Sequence, residues 1–288
     1  MGTYVRTQSI DHNIGERGRI SLNVTSGDVR VRGIPGGEAH VRATFEINAS
    51  SDADADRIFE AAQLRVNRGS GSLNIEETDG GGHSVGSMIG RLFGASGDYE
   101  LSVEADLPTA AEMQLTAVSS DVTVTDLRGE QRYHTVSGDL NIIAPSLRSL
   151  RANTVSGDIQ LEAELASDGD FRAETVSGDL SVGLVGSATF EIHGLSTDVS
   201  SELDHRLEGQ IDRRRLIIGN GNPRLVFNSM SGDVDIRHPR RLSPRPAAPK
   251  PASEPTPAQQ ESQLEVLRAL ERGEIDVDEA TRRLAGGS

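Results

Sequence analysis

Aspartate recurs at nearly constant intervals through the middle of this 288-residue chain. Asp121, Asp139, Asp158, Asp179 and Asp198 are separated by 18, 19, 21 and 19 residues. Carboxylates that lie in a row on neighbouring strands repel one another. This repulsion must be offset either by bound cations, as in calcium-binding β-rolls, or by hydrogen bonds from nearby backbone N–H groups. The Gly-Gly-x-Gly-x-Asp nonapeptide of those rolls is absent. The sequence therefore favours structural turns over a metal ladder, and it predicts neither a metal nor a cofactor.

Catalytic groups do not cluster in the sequence. The seven histidines are scattered, and His134 and His193 are predicted to share one outward column with two rungs between them. A Gly-x-Ser-x-Gly match occurs at residues 82–86, but it lies in a glycine-rich stretch that is typical of a loop and not between a strand and a helix, as a nucleophile elbow requires, and a His-Glu-x-x-His motif does not occur. A polysaccharide-cleaving β-helix enzyme would need converging unlike acids and bases. We expect a protein that is not an enzyme, with that enzyme as an alternative.

The aspartates belong to a repeated signature, Thr-Val-Ser-Gly-Asp, at residues 135–139, 154–158 and 175–179. A further copy, Ser-Gly-Asp-Val, lies outside the regular spacing at 231–234. Glycine reaches positive φ without a Cβ clash, and aspartate bonds to nearby backbone, so the pair bends a chain between strands. The predicted corner residues are Gly138, Asp139, Gly157, Asp158, Gly178, Asp179, Gly232 and Asp233.

The residues on both sides of each signature alternate between apolar and polar side chains. Leu140 and Ile142 point one way and Asn141 the other, and the same pattern precedes the signature at Leu150, Ala152 and Asn153. Two short strands joined by a corner therefore form one rung of a parallel β-solenoid, which stacks to bury its apolar columns. The general preference for right-handed parallel crossovers predicts a right-handed coil.

The flanking segments are predicted to close this stack over residues 1–238. Residues 4–48 are predicted to be strands, and 49–98 a capping or insertion region that contains one helix over 52–66 with Val66 on its apolar face. Asp52, Asp54 and Asp56 resemble the start of a calcium loop, but Arg57 replaces the required glycine, which favours a charged helix start. Residues 203–226 break the period and are predicted to form a looser rung or a terminal cap.

The composition changes after the repeats. Seven of the eleven prolines fall within 239–260, which predicts an extended linker. Residues 261–286 are predicted to form a helical hairpin, too small to bury a core of its own, that docks on a protein partner or self-associates. Its apolar docking residues are Leu264, Leu267, Leu270, Ile275 and Leu284.

Charge and composition exclude several classes of partner. The net charge of −15 argues against an electrostatic grip on nucleic acid. Neither a signal-peptide core nor an apolar run of membrane-spanning length is present, so we expect a cytoplasmic protein without an integral membrane segment. Association with a surface stays open. The absence of cysteine is compatible with a reducing compartment.

The repeated Val-Ser-Gly-Asp signature over residues 20–238 resembles the bacterial "putative adhesin" family of β-strand-repeat proteins, a domain of unknown function. The resemblance implies a right-handed β-solenoid without catalytic residues and a loose association with surfaces and envelope stress. Residues 264–284 are similar to short C-terminal helical modules of envelope-linked bacterial proteins. We therefore expect a scaffold or interaction protein, with a surface adhesin or carbohydrate-binding protein as the main alternative.

Overall fold

The fold was analysed in a computed structural model, which describes residues 2–77, 99–210 and 213–239. Within these ranges the chain is mainly β and contains one helix. The elements are β1 (Gly2–Asn13), β2 (Arg19–Ser26), β3 (Asp28–Ile34), β4 (Glu38–Ala49), α1 (Asp52–Ala62), β5 (Arg65–Gly69), β6 (Ser72–Glu76), β7 (Tyr99–Pro108), β8 (Glu112–Ser119), β9 (Val122–Thr125), β10 (Glu130–Ser137), β11 (Leu140–Leu147), β12 (Ser149–Asn153), β13 (Ile159–Leu165), β14 (Phe171–Ser177), β15 (Leu180–Val185), β16 (Ala188–Ser196), β17 (Val199–Ser201), β18 (His205–Gln210), β19 (Arg213–Ile218), β20 (Arg224–Ser231) and β21 (Val234–Arg237).

The strands form two sheets that face each other across one core. Sheet A has the order β1-β4-β7-β3-β9-β11-β13-β15-β21-β17, and sheet B has the order β18-β19-β16-β20-β14-β12-β10-β8-β2-β6-β5. Each rung consists of one strand of sheet B, a corner and the following strand of sheet A. From β8 to β15 successive rungs pair in parallel, in chain order. This is a solenoid-like β repeat.

The core consists of apolar columns that run from rung to rung. Leu140 pairs with Ile159 and Ile159 with Leu180, and all three side chains are at most 3% exposed. Like side chains therefore lie over like at about 4.8 Å, the spacing of hydrogen-bonded strands. One buried polar pair interrupts sheet B, where the Tyr133 hydroxyl donates to Gln131 at 2.9 Å. Burial raises the pKa of Tyr133, so this phenol stays neutral.

The N-terminal end differs from the predicted cap in two ways. The helix ends at Ala62 instead of 66, and Val66 lies in β5, where it pairs with Ile75 of β6 in an antiparallel ladder. Val66 fits the apolar pattern of a helix and of a strand equally well, and in the structure its pairing with β6 places it in a strand. The terminal strands β1 and β4 are also antiparallel, so the stack is parallel only in its middle. β6 itself is a strand of the stack, beside β2.

The helix is fixed to the edge strand by charges. The Arg6 guanidinium binds Asp52 at 2.6 Å and Asp56 at 2.8 Å, and these two carboxylates raise the pKa of Arg6. Ser51 caps the helix by accepting a hydrogen bond from the Asp54 backbone N–H, and Asp54 also pairs with Arg57. The acidic triplet thus acts as a charged helix start that is paired with arginines.

The order of rungs at the C-terminal end departs from the order of the sequence. The rung formed by β20 and β21 inserts between the rung of β14 and β15 and the rung of β16 and β17. The intervening β18 and β19 form an antiparallel hairpin that extends sheet B beyond the last rung. Residues 203–226 are therefore a sheet extension and the start of an inserted rung.

Two predicted segments lie outside the described residues. They are the glycine-rich part of the 49–98 region, from 78 to 98, and everything from 240 to 288, which includes the linker and the helical hairpin with its apolar stripe. Within the described residues, none of the helical structure has the length and apolar character that a bilayer crossing requires.

Candidate interaction surface

The Ser-Gly-Asp corners lie one above another along one long edge of the stack, which we call the corner edge. Gly138, Gly157, Gly178 and Gly232 all have positive φ, at 114°, 135°, 155° and 158°. At Gly157 an added Cβ would lie 2.2 Å from the carbonyl oxygen of Gly138 in the rung below. Glycine is required here by conformation and by the close approach of neighbouring rungs.

The aspartates of the corners form a hydrogen-bonded row. From Asp139 onward, the backbone N–H of one aspartate donates to Oδ1 of its neighbour, as in the 2.9 Å bonds from Asp158 N–H to Asp139 and from Asp179 N–H to Asp158. One oxygen of these carboxylates is therefore bound by a backbone donor, and the donors offset the repulsion between charges at rung spacing.

The row includes the copy of the signature that lies outside the regular spacing. The backbone N–H of Asp233 donates to Asp179 Oδ1 at 2.7 Å, and that of Asp198 donates to Asp233 Oδ1 at 2.8 Å. The inserted rung therefore supplies one member of the row, and six carboxylates follow one another in space in the order Asp121, Asp139, Asp158, Asp179, Asp233 and Asp198.

Sequence reasoning did not assign the valines of the signature, and the structure places them on the outside. Val136, Val155, Val176 and Met230 are 41%, 48%, 46% and 57% exposed and belong to four consecutive rungs. Their registers follow from Ser137 pairing with Ser156, Ser156 with Ser177 and Ser177 with Ser231. We call this set the valine row. The alternation of the sequence could have identified this row, because neighbouring residues of a strand face opposite sides and Thr154 is buried, which places Val155 outside.

The corner edge therefore combines two unlike rows. The valine row and the aspartate row are separated only by the serine and glycine of each corner, and both repeat at about 4.8 Å. Five of the six carboxylates accept a hydrogen bond from a backbone N–H, and carboxylates in single file at this spacing are suited to electrostatic contact and not to proton transfer between unlike groups. The exposed apolar atoms beside them are suited to contact with another apolar surface.

A second polar feature crosses the outer face of sheet A near the N-terminal end. Asp11, His40, Asp106 and Arg32 follow one another on β1, β4, β7 and β3. His40 Nδ1 lies 2.7 Å from Asp11, and Arg32 donates two hydrogen bonds to Asp106. The bond to Asp11 raises the pKa of His40. These pairs fasten the antiparallel end strands to the stack.

The outer face of sheet B carries arginines with acidic partners. Arg132, Arg151 and Arg172 lie at one register on β10, β12 and β14 and pair with Glu130, Asp170 and Glu174. A shallow groove of about 310 Å³ lies at the start of these strands, where Arg148, Arg151 and Asp168 are among the lining residues.

The two histidines of one column are further apart than predicted. Asn153, Glu174 and Asn228 separate His134 from His193, so three strands intervene instead of two. The extra strand is the inserted β20, whose place in the stack the sequence spacing did not show. The predicted docking residues Leu264, Leu267, Leu270, Ile275 and Leu284 lie outside the described residues.

Stacked β-arc rungs with a glycine-aspartate corner define a class of β-strand-repeat solenoid proteins. The chain belongs to the Toastrack DUF4097 family, whose model matches residues 16–237. The match ends at the last residue of β21, so it includes the inserted rung, and this membership confirms the family resemblance drawn from the repeated signature. A comparison with curated proteins found no match.

A comparison with solved structures found chains of similar course. A "putative cell adhesion protein" from Clostridium sporogenes is 11% identical, covers 82% of this chain and all of its own, and has a TM-score of 0.44. A "putative adhesin" from Bacteroides fragilis is 10% identical, covers 80% of this chain and 97% of its own, and has a TM-score of 0.35. A "putative lipid binding protein" from Parabacteroides distasonis is 11% identical, covers 80% of this chain and 96% of its own, and has a TM-score of 0.23.

Proposed function

We propose that this protein is a non-enzymatic interaction scaffold, in which a rigid β-solenoid presents its corner edge to a protein partner. The observation that carries the proposal is the valine row. Four apolar side chains on consecutive rungs are between 41% and 57% exposed, although the inward-facing apolar residues of the same rungs are almost completely buried. An ordered apolar stripe on a polar edge is the kind of surface that proteins use for recognition.

The chemistry of the edge indicates which partner it suits. The valine row spans three rung intervals, about 14 Å, which matches a short segment of a partner chain. The aspartate row runs alongside it and favours basic side chains over acidic ones. We therefore propose a partner segment that carries apolar residues beside arginine or lysine.

The C-terminal residues supply the second part of the proposal. We propose that 261–286 form a helical hairpin that binds a partner or a second copy through Leu264, Leu267 and Leu270, tethered by the proline-rich linker. We also propose that the solenoid coils to the right, as parallel crossovers generally do. Handedness would decide on which side of the valine row the aspartates lie for an approaching partner.

The experiment is a quantitative capture of cellular proteins by the full-length chain, with two edge variants. Val155→Asp together with Val176→Asp is expected to remove the specific partner. Val185→Asp is the matched control, since Val185 is 43% exposed but lies away from the valine row. Deletion of 261–288 tests the helical module separately. Unchanged partners in the double variant would refute the role of the corner edge.

A surface adhesin that binds acidic carbohydrate is the second candidate. The observation in its favour is the row formed by Arg132, Arg151 and Arg172 at rung spacing on sheet B. Each arginine already has a carboxylate partner, at 3.2, 2.6 and 3.5 Å, and this pairing lowers the positive potential available to a glycan. Cell fractionation and a comparison of the wild type with Arg151→Gln in binding acidic polysaccharide distinguish the two candidates. A surface location and polysaccharide binding that Arg151→Gln weakens would favour the adhesin.

A further inference from the structure

The two sheets end at different levels at the C-terminal end of the stack. The last complete rung is β16 with β17. Sheet B continues beyond it with β19 and β18, whereas sheet A stops at the three-residue strand β17. Sheet B therefore overhangs sheet A by two strands, about 9.6 Å. We call these two strands the overhang.

The inner face of the overhang is only partly covered. Leu216 and Ile218 of β19 are buried, and Leu203 in the connection from β17 packs against the core. Leu207 of β18 pairs with Leu216 and so lies on the same inner face, yet it is 50% exposed. All six residues of β18 are exposed, and its outer edge and that of β17 end their sheets within the described residues. Such edges pair readily with another strand.

The charges of the two levels are opposite. The strands β18 and β19 carry four arginines, Arg206, Arg213, Arg214 and Arg215, of which Arg206 pairs with Glu208 at 2.8 Å and Arg215 with Glu191 at 3.1 Å. The end of sheet A carries five acidic residues, Asp198, Glu202, Asp204, Asp233 and Asp235, against Arg237. A basic overhang and an acidic recess within one chain end are complementary between two copies related by a two-fold axis.

We propose that the overhang is a self-association surface, through which two copies join end to end. A second copy rotated by 180° about an axis perpendicular to the rod places its overhang where the first copy lacks strands of sheet A. The two overhangs then face each other at the sheet-packing distance of about 10 Å and cover Leu207 from both sides. β18 of each copy lies beside β17 of the other, and Arg206 meets the acidic end of sheet A.

The test measures the mass of the full-length protein by sedimentation equilibrium over a range of concentrations. The wild type is expected to dimerise, and Leu207→Asp is expected to weaken the dimer by about tenfold or more, as the loss of a central apolar anchor does. Val5→Asp is the matched control, since Val5 is 56% exposed at the opposite end of the stack, and it should leave the dimer intact. Arg206→Glu should weaken the dimer, and adding Glu202→Arg should restore it.

A distance measurement distinguishes this interface from any other. The chain has no cysteine, so Gln210→Cys at the exposed end of β18 or Val5→Cys introduces a unique site for a spin label and leaves Leu207 in place. Labels at 210 should be close together in the dimer, and labels at 5 should be far apart. A monomer at all concentrations, a dimer unaffected by Leu207→Asp, or a dimer that depends only on residues 240–288 would overturn the proposal. Because the valine row is elsewhere, its double variant should still dimerise.

Discussion

Replacing Gly157 by alanine tests whether the corners hold the rungs at contact distance. An added Cβ would lie 2.2 Å from the Gly138 carbonyl oxygen and 2.8 Å from its carbon, both of which are backbone atoms of the adjacent rung. The φ of 135° adds a conformational cost. Because neither obstacle is a flexible side chain, the two rungs must separate locally for the variant to fold.

The magnitude follows from two contributions. A residue with a Cβ at positive φ costs about 1–2 kcal/mol, and forcing an additional carbon into a packed site costs about 1–3 kcal/mol. Gly157→Ala should therefore lower the free energy of unfolding by about 2–5 kcal/mol. Gly36→Ala is the control, since Gly36 has a φ of 115° but a Cβ added there would meet no atom within 4 Å. It should lose only the first contribution.

The assay is urea unfolding of both variants and the wild type, followed by far-ultraviolet circular dichroism. Gly157→Ala should shift the midpoint clearly further than Gly36→Ala. If the two variants lose the same stability, the cost comes from φ alone, and the close approach of rungs at the corner is refuted.

Three further predictions concern single polar contacts. Asp158→Ala should lower stability by about 1 kcal/mol because the backbone donor of the next rung loses its acceptor, whereas Asp158→Asn should not; equal losses in urea titrations would contradict this. The His40 pKa should fall in Asp11→Asn when followed by NMR. Because the pKa of His40 is raised in the folded state, the exposed His40–Asp11 pair adds about 1 kcal/mol or less to the free energy of unfolding below about pH 6.5. This contribution is lost as the pH rises through the folded-state pKa of His40. A wild type whose advantage over Asp11→Asn does not change across this pH range would contradict the prediction. Arg6→Gln should speed hydrogen exchange in α1 and not in the central rungs, and uniform exchange across the chain would show that the ion pairs do not fix the helix.

The central rungs were predictable because two signals agreed. Period-two alternation around each signature defines a buried column, and repetition of Ser-Gly-Asp fixes where the chain turns. Together they place Leu140, Ile159 and Leu180 in one stack. The register observed between these strands is the one that alternation requires, since a one-residue slip would expose the whole column.

The order of the last rungs was not predictable from the sequence. Each copy of the signature has the same inward and outward pattern, so Ser231 fits beside Ser177 or beyond Ser196 equally well. The choice depends on the β18–β19 hairpin, which carries the chain back across the end of sheet B. The helix end was missed for a similar reason, since Val66 satisfies the apolar face of a helix and the alternation of a strand.

The candidate surface was half predicted. The aspartates were predictable because a recurring carboxylate is visible in the sequence. The exposed valines were not predicted, because valine normally indicates a buried core position. The alternation that places Leu150 and Ala152 inside, continued past the end of β12, would have placed Thr154 inside and Val155 outside. The predicted docking leucines stay a prediction.

In the proposed scaffold, the valine row contacts a protein partner. The most direct measurement places a photo-crosslinking amino acid at position 155 in the full-length chain and, separately, at the similarly exposed position 185. We expect a discrete protein adduct from position 155 that Val176→Asp abolishes, and none like it from position 185. Identical products from both positions, or no adduct from position 155, would show that the valine row does not contact a specific partner.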